Sequence, residues 1–269
     1  MTEPHIHARF AVGRDGYGSH YHDSHQLIYV KSGRIRLQIG EHIYEAGPGT
    51  LSLISRLERH SIEIISEDYV RYTVTISPEV EKYAAYMGET LISALVNRPV
   101  TFQHAVMLAD AEAAERLLQQ LVEESDAPEM LDDKMRVFLL SQLLVLFCRA
   151  YPDSIPEKPE NLQRIQQVRQ YLEENYAAKC DLESLAQRFH LSQSYLSHQF
   201  REVTGSSVIA YLTAFRIAEA KRCLVHTDWP VAKVATECGF SDHSNFGRTF
   251  RSMTGMSPKE FRSKYRENA

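Results

Sequence analysis

The chain has 269 residues, 43% hydrophobic and 24% charged, with 12 Gly and 10 Pro, a composition that excludes disorder and low-complexity repeats over most of its length and suits two modest domains. Its longest strongly apolar run, Phe138 to Cys148, is 11 residues, well below the roughly 20 that a membrane-crossing helix needs. The formal net charge of −5 divides unevenly: residues 1–159 hold 15 basic and 23 acidic groups, residues 160–269 hold 15 and 12, so only the C-terminal part is suited to approaching phosphates.

The opening MTEPHIHARFAV has no basic region followed by an apolar run, and Cys148, Cys180, Cys223 and Cys238 form no Cys-x-x-Cys pair. Both features lead to the expectation of a reducing, cytoplasmic setting without a membrane partner. From Gln26 to Ser77 short strands alternate with turns: QLIYVKSG, RIRLQIG, HIYEAGPG, TLSLIS, HSIEIIS and YVRYTVTIS. In RIRLQI, Ile35, Leu37 and Ile39 share one face and Arg34, Arg36 and Gln38 the other, as in a half-buried antiparallel strand. Many short strands with glycine-rich turns indicate a sandwich or a small barrel, and no segment between them is long enough for a crossover helix.

After Pro78 the period becomes helical. Leu108, Ala111, Ala114, Leu117, Leu118 and Leu121 form one stripe within 106–122, and Met135 to Phe147 is more apolar still. These helices either cover the sheet or form a subunit interface. Pro152, Pro156 and Pro159 then mark a linker.

From Asn161 onward seven helical segments are expected, and two of the turns repeat. Ala186, Phe189, Leu191, Ser192, Leu196, Phe200 and Gly205 are matched in order by Ala235, Cys238, Phe240, Asp242, Phe246, Phe250 and Gly255, at an offset of 49 residues before the turn and 50 after it. Each copy reads as helix, tight turn, helix. Asp181 and Ser192 are suited to cap the two helices of the first copy, and Gly239 to end the first helix of the second. Opposite the core residues stand Ser194, Ser197, His198 and Arg201 in one copy and His243, Ser244, Asn245, Arg248 and Arg251 in the other. Hydroxyls, an amide and arginines suit base edges and phosphates of the major groove. A connecting helix from Val208 to Val225 would span about 27 Å.

With these residues in place, the stretch from about Ile165 to Tyr265 resembles the tandem helix-turn-helix domain of AraC/XylS-family transcriptional regulators, most specifically through VAKVATECGFSDHSNFGRTFRSMTGMSPKEFR. The resemblance implies that the second helix of each copy reads DNA through Ser194, Ser197 and His198, and through His243, Ser244, Asn245 and Arg248. HYHDSHQLIYVKSG, GEHIYEAGPGTLSLI and His60 resemble that family's cupin-type sensor, although Gln26 stands where metal-binding cupins carry glutamate. The expected fold is therefore an N-terminal all-β cupin-like barrel with accessory helices, followed by an all-α domain with two helix-turn-helix units joined by a long helix. The expected divisions are 1–100 for the sensor, 101–151 for a helical hairpin and dimerisation region, 152–160 for the linker and 161–269 for the DNA-binding domain.

The expected function is regulation of transcription at specific duplex DNA under control of an unidentified small-molecule effector, in a homodimer, with RNA polymerase as a further partner. The effector pocket is assigned to His20, His22, His25, Tyr29 and His60. No cofactor and no catalytic residue are expected; if a metal is held, its ligands are His20, His22 and His60. The competing classes are a metal-binding cupin enzyme and an interaction module without a DNA role.

Overall fold

A computed structural model describes residues 6–13, 16–20, 22–96, 102–126, 131–152 and 162–266. The chain forms two compact units whose main division falls between residues 157 and 158. The expected linker lies outside the described residues except at Pro152, as does the expected boundary at 100/101.

Among the described residues the first unit has nine strands: β1 (Ile6–Val12), β2 (Tyr17–His20), β3 (His25–Ser32), β4 (Ile35–Ile39), β5 (His42–Ala46), β6 (Thr50–Ile54), β7 (His60–Ile64), β8 (Val70–Ile76) and β9 (Ala105–Met107). They form two sheets, a five-stranded one in the order β1-β8-β3-β6-β9 and a four-stranded one in the order β2-β7-β4-β5. This corrects the expected cupin-like barrel: no pairing among the described residues joins an edge of one sheet to an edge of the other. Ile28, Val30 and Ile54 of the larger sheet share an apolar core with Ile35, Leu37, Ile39 and Ile62 of the smaller. The other face of the larger sheet, bearing Leu27, Tyr29, Leu51, Leu53 and Val74, is covered by helices. A sheet with another sheet on one side and helices on the other buries its apolar residues without closing.

Those helices are α1 (Ala84–Met87), α2 (Glu89–Val96), α3 (Ala111–Asp126) and α4 (Asp132–Ala150). The expected helix over 106–122 begins later, because Ala105–Met107 pairs with Thr50–Ser52 as β9. Leu118 and Leu121 of α3 and Leu140, Leu143, Leu144 and Phe147 of α4 are fully buried within this core. Arg136 is buried among them, donating to the carbonyls of Ile6 (3.2 Å) and Glu124 (2.9 Å) and pairing with Asp132 at 2.7 Å.

The second unit is helical: α5 (Leu162–Glu174), α6 (Leu182–Arg188), α7 (Gln193–Thr204), α8 (Val208–His226), α9 (Val231–Glu237), α10 (His243–Thr254) and α11 (Pro258–Arg266). The repeated motifs are α6–α7 and α9–α10, with α8 between them. Around the second motif, Ile217, Ala220 and Leu224 of α8 pack with Val234, Ala235, Phe246, Phe250 and Phe261. No helix among the described residues is long and apolar enough to cross a membrane.

Candidate nucleic-acid interface and effector site

The two repeated motifs are built by the same local chemistry. Asp181 caps α6 through the Ser184 N–H at 2.8 Å, and Ser192 caps α7 through the Tyr195 N–H at 3.2 Å. Asp242 caps α10 by accepting from the N–H groups of Ser244 (2.7 Å) and Asn245 (3.2 Å). Each carboxylate meets donors that a helix start leaves without internal partners. The backbone N–H of Asn245, then that of Ser244, holds the Asp242 carboxyl below its ordinary range, as the N–H of Ser184 does for Asp181. At their far ends α7 and α10 stop at Gly205 (φ 70°) and Gly255 (φ 76°), each in the left-handed region.

Between cap and stop, each reading helix has two distinct sides. Leu196, Phe200 and Val203 of α7 are buried, as are Phe246 and Phe250 of α10. Ser194, Ser197, His198 and Arg201 are exposed on α7, and His243, Ser244, Asn245 and Arg248 on α10. Arg201 of α7 and Arg248 and Arg251 of α10 are exposed, while the Asp242 carboxylate is engaged in capping. His243 also makes a 3.3 Å contact through Nε2 with Thr236 Oγ1, tying the start of α10 to α9.

The ring nitrogens of His20, His22 and His60 that can serve as ligands lie within 4.8 Å of one another. The His22 and His60 rings meet edge to face, with centroids 4.7 Å apart. Nδ1 of His22 is 2.7 Å from the Ser24 carbonyl and Nδ1 of His60 is 2.9 Å from the Glu58 carbonyl. A carbonyl only accepts, so each of these rings, when neutral, carries its proton on Nδ1 and its lone pair on Nε2. Such nitrogens accept from a ligand hydroxyl or amide, or bind a borderline cation such as zinc.

His25 and Tyr29 are not brought to this cluster. On β3 they alternate with Ile28 and Val30 and share the helix-covered side with Leu27. His25 Nδ1 is 3.2 Å from Ser55 Oγ, whose hydroxyl also reaches the Leu95 carbonyl at 3.0 Å. The Tyr29 hydroxyl donates to Glu115 at 3.3 Å, and burial followed by the Glu115 charge pushes its pKa up. Arg56 is paired with Asp23 at 2.7 Å, and Arg36 with Glu63 at 2.7 Å on the outer surface.

Sequence reasoning missed a half-buried relay. His104 Nε2 is 2.8 Å from Glu58 Oε1 and its Nδ1 is 3.0 Å from the Tyr44 hydroxyl, while Glu58 Oε2 accepts the Ser55 N–H at 2.7 Å. This relay secures the segment from which the Glu58 carbonyl orients His60. His104 lies in sequence just before β9, and no periodicity connects it with Tyr44 or Glu58.

A sheet-built unit with a polar cluster, joined to two capped helix-turn-helix motifs, defines a ligand-binding regulator of transcription. The model of the AraC-like ligand binding domain matches residues 5–144, and a helix-turn-helix domain model matches 185–264. The chain belongs to the AraC family and is a DNA-binding transcription regulator with an AraC-type ligand-binding domain. It is 25% identical over 255 residues to the HTH-type transcriptional activator RhaS of Escherichia coli O139:H28 (strain E24377A / ETEC), covering 91% of this chain and 87% of that protein. RhaS of Salmonella schwarzengrund (strain CVM19633) is 27% identical over 261 residues, with the same coverage. The fold matches that of ToxT from Vibrio cholerae with a TM-score of 0.67 at 14% identity, covering 97% of this chain and 98% of ToxT. ToxT with an unsaturated fatty acid bound also matches at 0.67. RhaS is named as a transcriptional activator, not as an enzyme.

Proposed function

We propose that α7 and α10 enter successive major grooves of duplex DNA, reading it through Ser194, Ser197, His198 and Arg201 on the first and His243, Ser244, Asn245 and Arg248 on the second. The observation that carries this reading is the exposure of all eight side chains on the sides opposite two buried apolar faces. Serine, asparagine and arginine offer donors and acceptors to base edges, and arginine also meets phosphate.

The effector is a small organic molecule held near His20, His22 and His60, where the carbonyl-set tautomers present acceptor nitrogens suited to hydroxyl or amide groups. Its control rests on a difference in affinity between two states of the protein, since equal affinity shifts nothing. A homodimer is the assembly this reading takes, and the naming of relatives as activators supports RNA polymerase as a further partner.

Selection of duplexes from a random pool by the purified chain tests the DNA reading. A bipartite site spanning about two helical turns per protomer is expected, with affinity falling steeply as salt rises. Recovery of no preferred sequence, with binding unaffected by substitutions on α7 and α10, would overturn it.

A further inference from the structure

Two reading helices recognise one bipartite site only if something sets the angle between them. The connector α8 packs against the second motif through Ile217, Ala220 and Leu224, and a contact that joins one motif directly to the other adds a second constraint on that angle. Arg216 lies at the middle of α8. Its Nε donates to the Tyr176 carbonyl at 2.7 Å and its Nη2 to the Ala178 carbonyl at 2.9 Å, in the segment leading from α5 into α6 of the first motif. The same guanidinium lies over the Phe240 ring, 6.0 Å from its centroid, in the turn of the second motif.

The neighbouring residue of that turn completes the joint. Gly239 has φ +80°, and a β-carbon there would lie 2.9 Å from the Tyr176 carbonyl, the Ala177 carbonyl and Arg216 Nε. Two of those three neighbours are backbone, so the turn can approach the first motif this closely only as glycine. Gly239 therefore does more than end α9: it lets the second motif's turn rest on the entry segment of the first, with the Arg216 fork bonded beneath it.

We infer that Arg216 and Gly239 form the joint that fixes α10 relative to α7, and so determine which spacing between DNA half-sites the protein accepts. Arg216 is a positioning residue in this account. Adding one base pair between half-sites moves the second by about 3.4 Å and turns it by about 35°. A locked pair of helices cannot follow that change; a pair able to turn about α8 can. Lysine brings one point charge in place of a planar two-donor fork and so bridges two carbonyls poorly.

The inference rests on the two-helix reading proposed above, and the test separates the two. The full-length chain first selects a duplex site from a random pool; binding is then measured by fluorescence anisotropy at fixed salt with one or two base pairs inserted or removed between the halves. The wild-type chain should lose about ten-fold or more in affinity for a one-base-pair change. Arg216→Met, folded by circular dichroism, should bind the selected spacing more weakly and show less than about a three-fold difference among spacings, with Arg216→Lys keeping only part of the selectivity. Uniform weakening by Arg216→Met at every spacing would make Arg216 merely structural and overturn the inference. So would a wild-type chain that tolerates all spacings, a result that needs no variant to fold. If Arg216→Met does not fold, Arg216→Lys decides: wild-type spacing selectivity in that variant overturns the inference. A chain that selects no sequence fails the two-helix reading itself and this inference with it.

Discussion

The Asp242 carboxylate accepts the backbone N–H of Asn245 at 3.2 Å, so the residue that presents an amide at the head of α10 also anchors that helix to its cap. The Asn245 and Ser244 N–H groups favour the ionised carboxyl and lower its pKa. A folded-state pKa below the unfolded value, near 3.9 for aspartate, means stability that is fully present above the unfolded value and lost as pH falls through the folded one. Circular dichroism should therefore show helix loss beginning below about pH 4. Asp242→Asn keeps the accepting oxygen without the charge and should remove this residue's share of the acid transition. Asp242→Ala should lower Tm by a few degrees even at pH 7. An acid limb unchanged in Asp242→Asn would show that this carboxylate is not linked to folding.

Arg248 is exposed on α10, two positions after the buried Phe246. If it reads a base, Arg248→Ala should cost about 1–3 kcal/mol at the selected site and relax preference at one position. Equal weakening on every duplex would assign it to phosphate instead. Phe250, fully buried between Phe246 and Phe261, is the control. Its replacement by alanine should destabilise the second motif by about 3–5 kcal/mol, so any loss of DNA binding there reports folding rather than contact.

Much of the second unit was legible because its signals are local. Asp181, Ser192 and Asp242 precede helices whose apolar residues recur at helical spacing, and the repeat itself marks Leu196 with Phe246 and Phe200 with Phe250. The first unit was legible strand by strand from Gln26 to Ser77 but not as an architecture. Alternation in RIRLQI shows which side is buried without saying whether the sheet edges meet. The strands at three of the sheet edges, β1, β2 and β9, also escaped the reading. Polar anchors such as His104 with Glu58 and Arg216 with Tyr176 were illegible for the same reason: each depends on residues brought together by the fold.

Arg136 tests whether one such anchor holds the first unit together. It is nearly fully buried, and its guanidinium joins β1, the end of α3 and the start of α4 through Ile6, Glu124 and Asp132. Arg136→Met removes donors that two carbonyls and a carboxylate depend on. It should destabilise the first unit by about 3–5 kcal/mol in urea unfolding. A change below about 1 kcal/mol would show that water or local relaxation replaces those bonds.

The His20, His22 and His60 nitrogens can serve an organic effector or a metal, and metal content distinguishes the two uses. With an organic effector as occupant, the purified protein should hold well below one equivalent of zinc, iron or manganese by elemental analysis. A thermal-shift screen of small metabolites should find a stabilising ligand whose effect is reduced at least ten-fold in apparent affinity by His22→Ala or His60→Ala. One equivalent of metal, lost in both variants, would reassign the cluster.

The proposed homodimer is assigned to the outer side of α4. Leu118 and Leu121 of α3 are buried within the protomer and so are unavailable to a second copy, whereas Leu131, Met135 and Phe138 are 62%, 48% and 51% exposed at helical spacing. A run of large apolar side chains on the side of α4 opposite the buried Leu140 and Leu144 is suited to covering the same run on another protomer. Sedimentation at micromolar concentration should give a dimer, and Phe138→Glu should shift it to monomer, because each partner would then bring a carboxylate into an apolar contact. The side chain is exposed, so the substitution should leave the Tm of the protomer fold nearly unchanged. A monodisperse wild-type monomer with and without DNA would remove α4 from the assembly, and a dimer insensitive to Phe138→Glu would place the interface elsewhere.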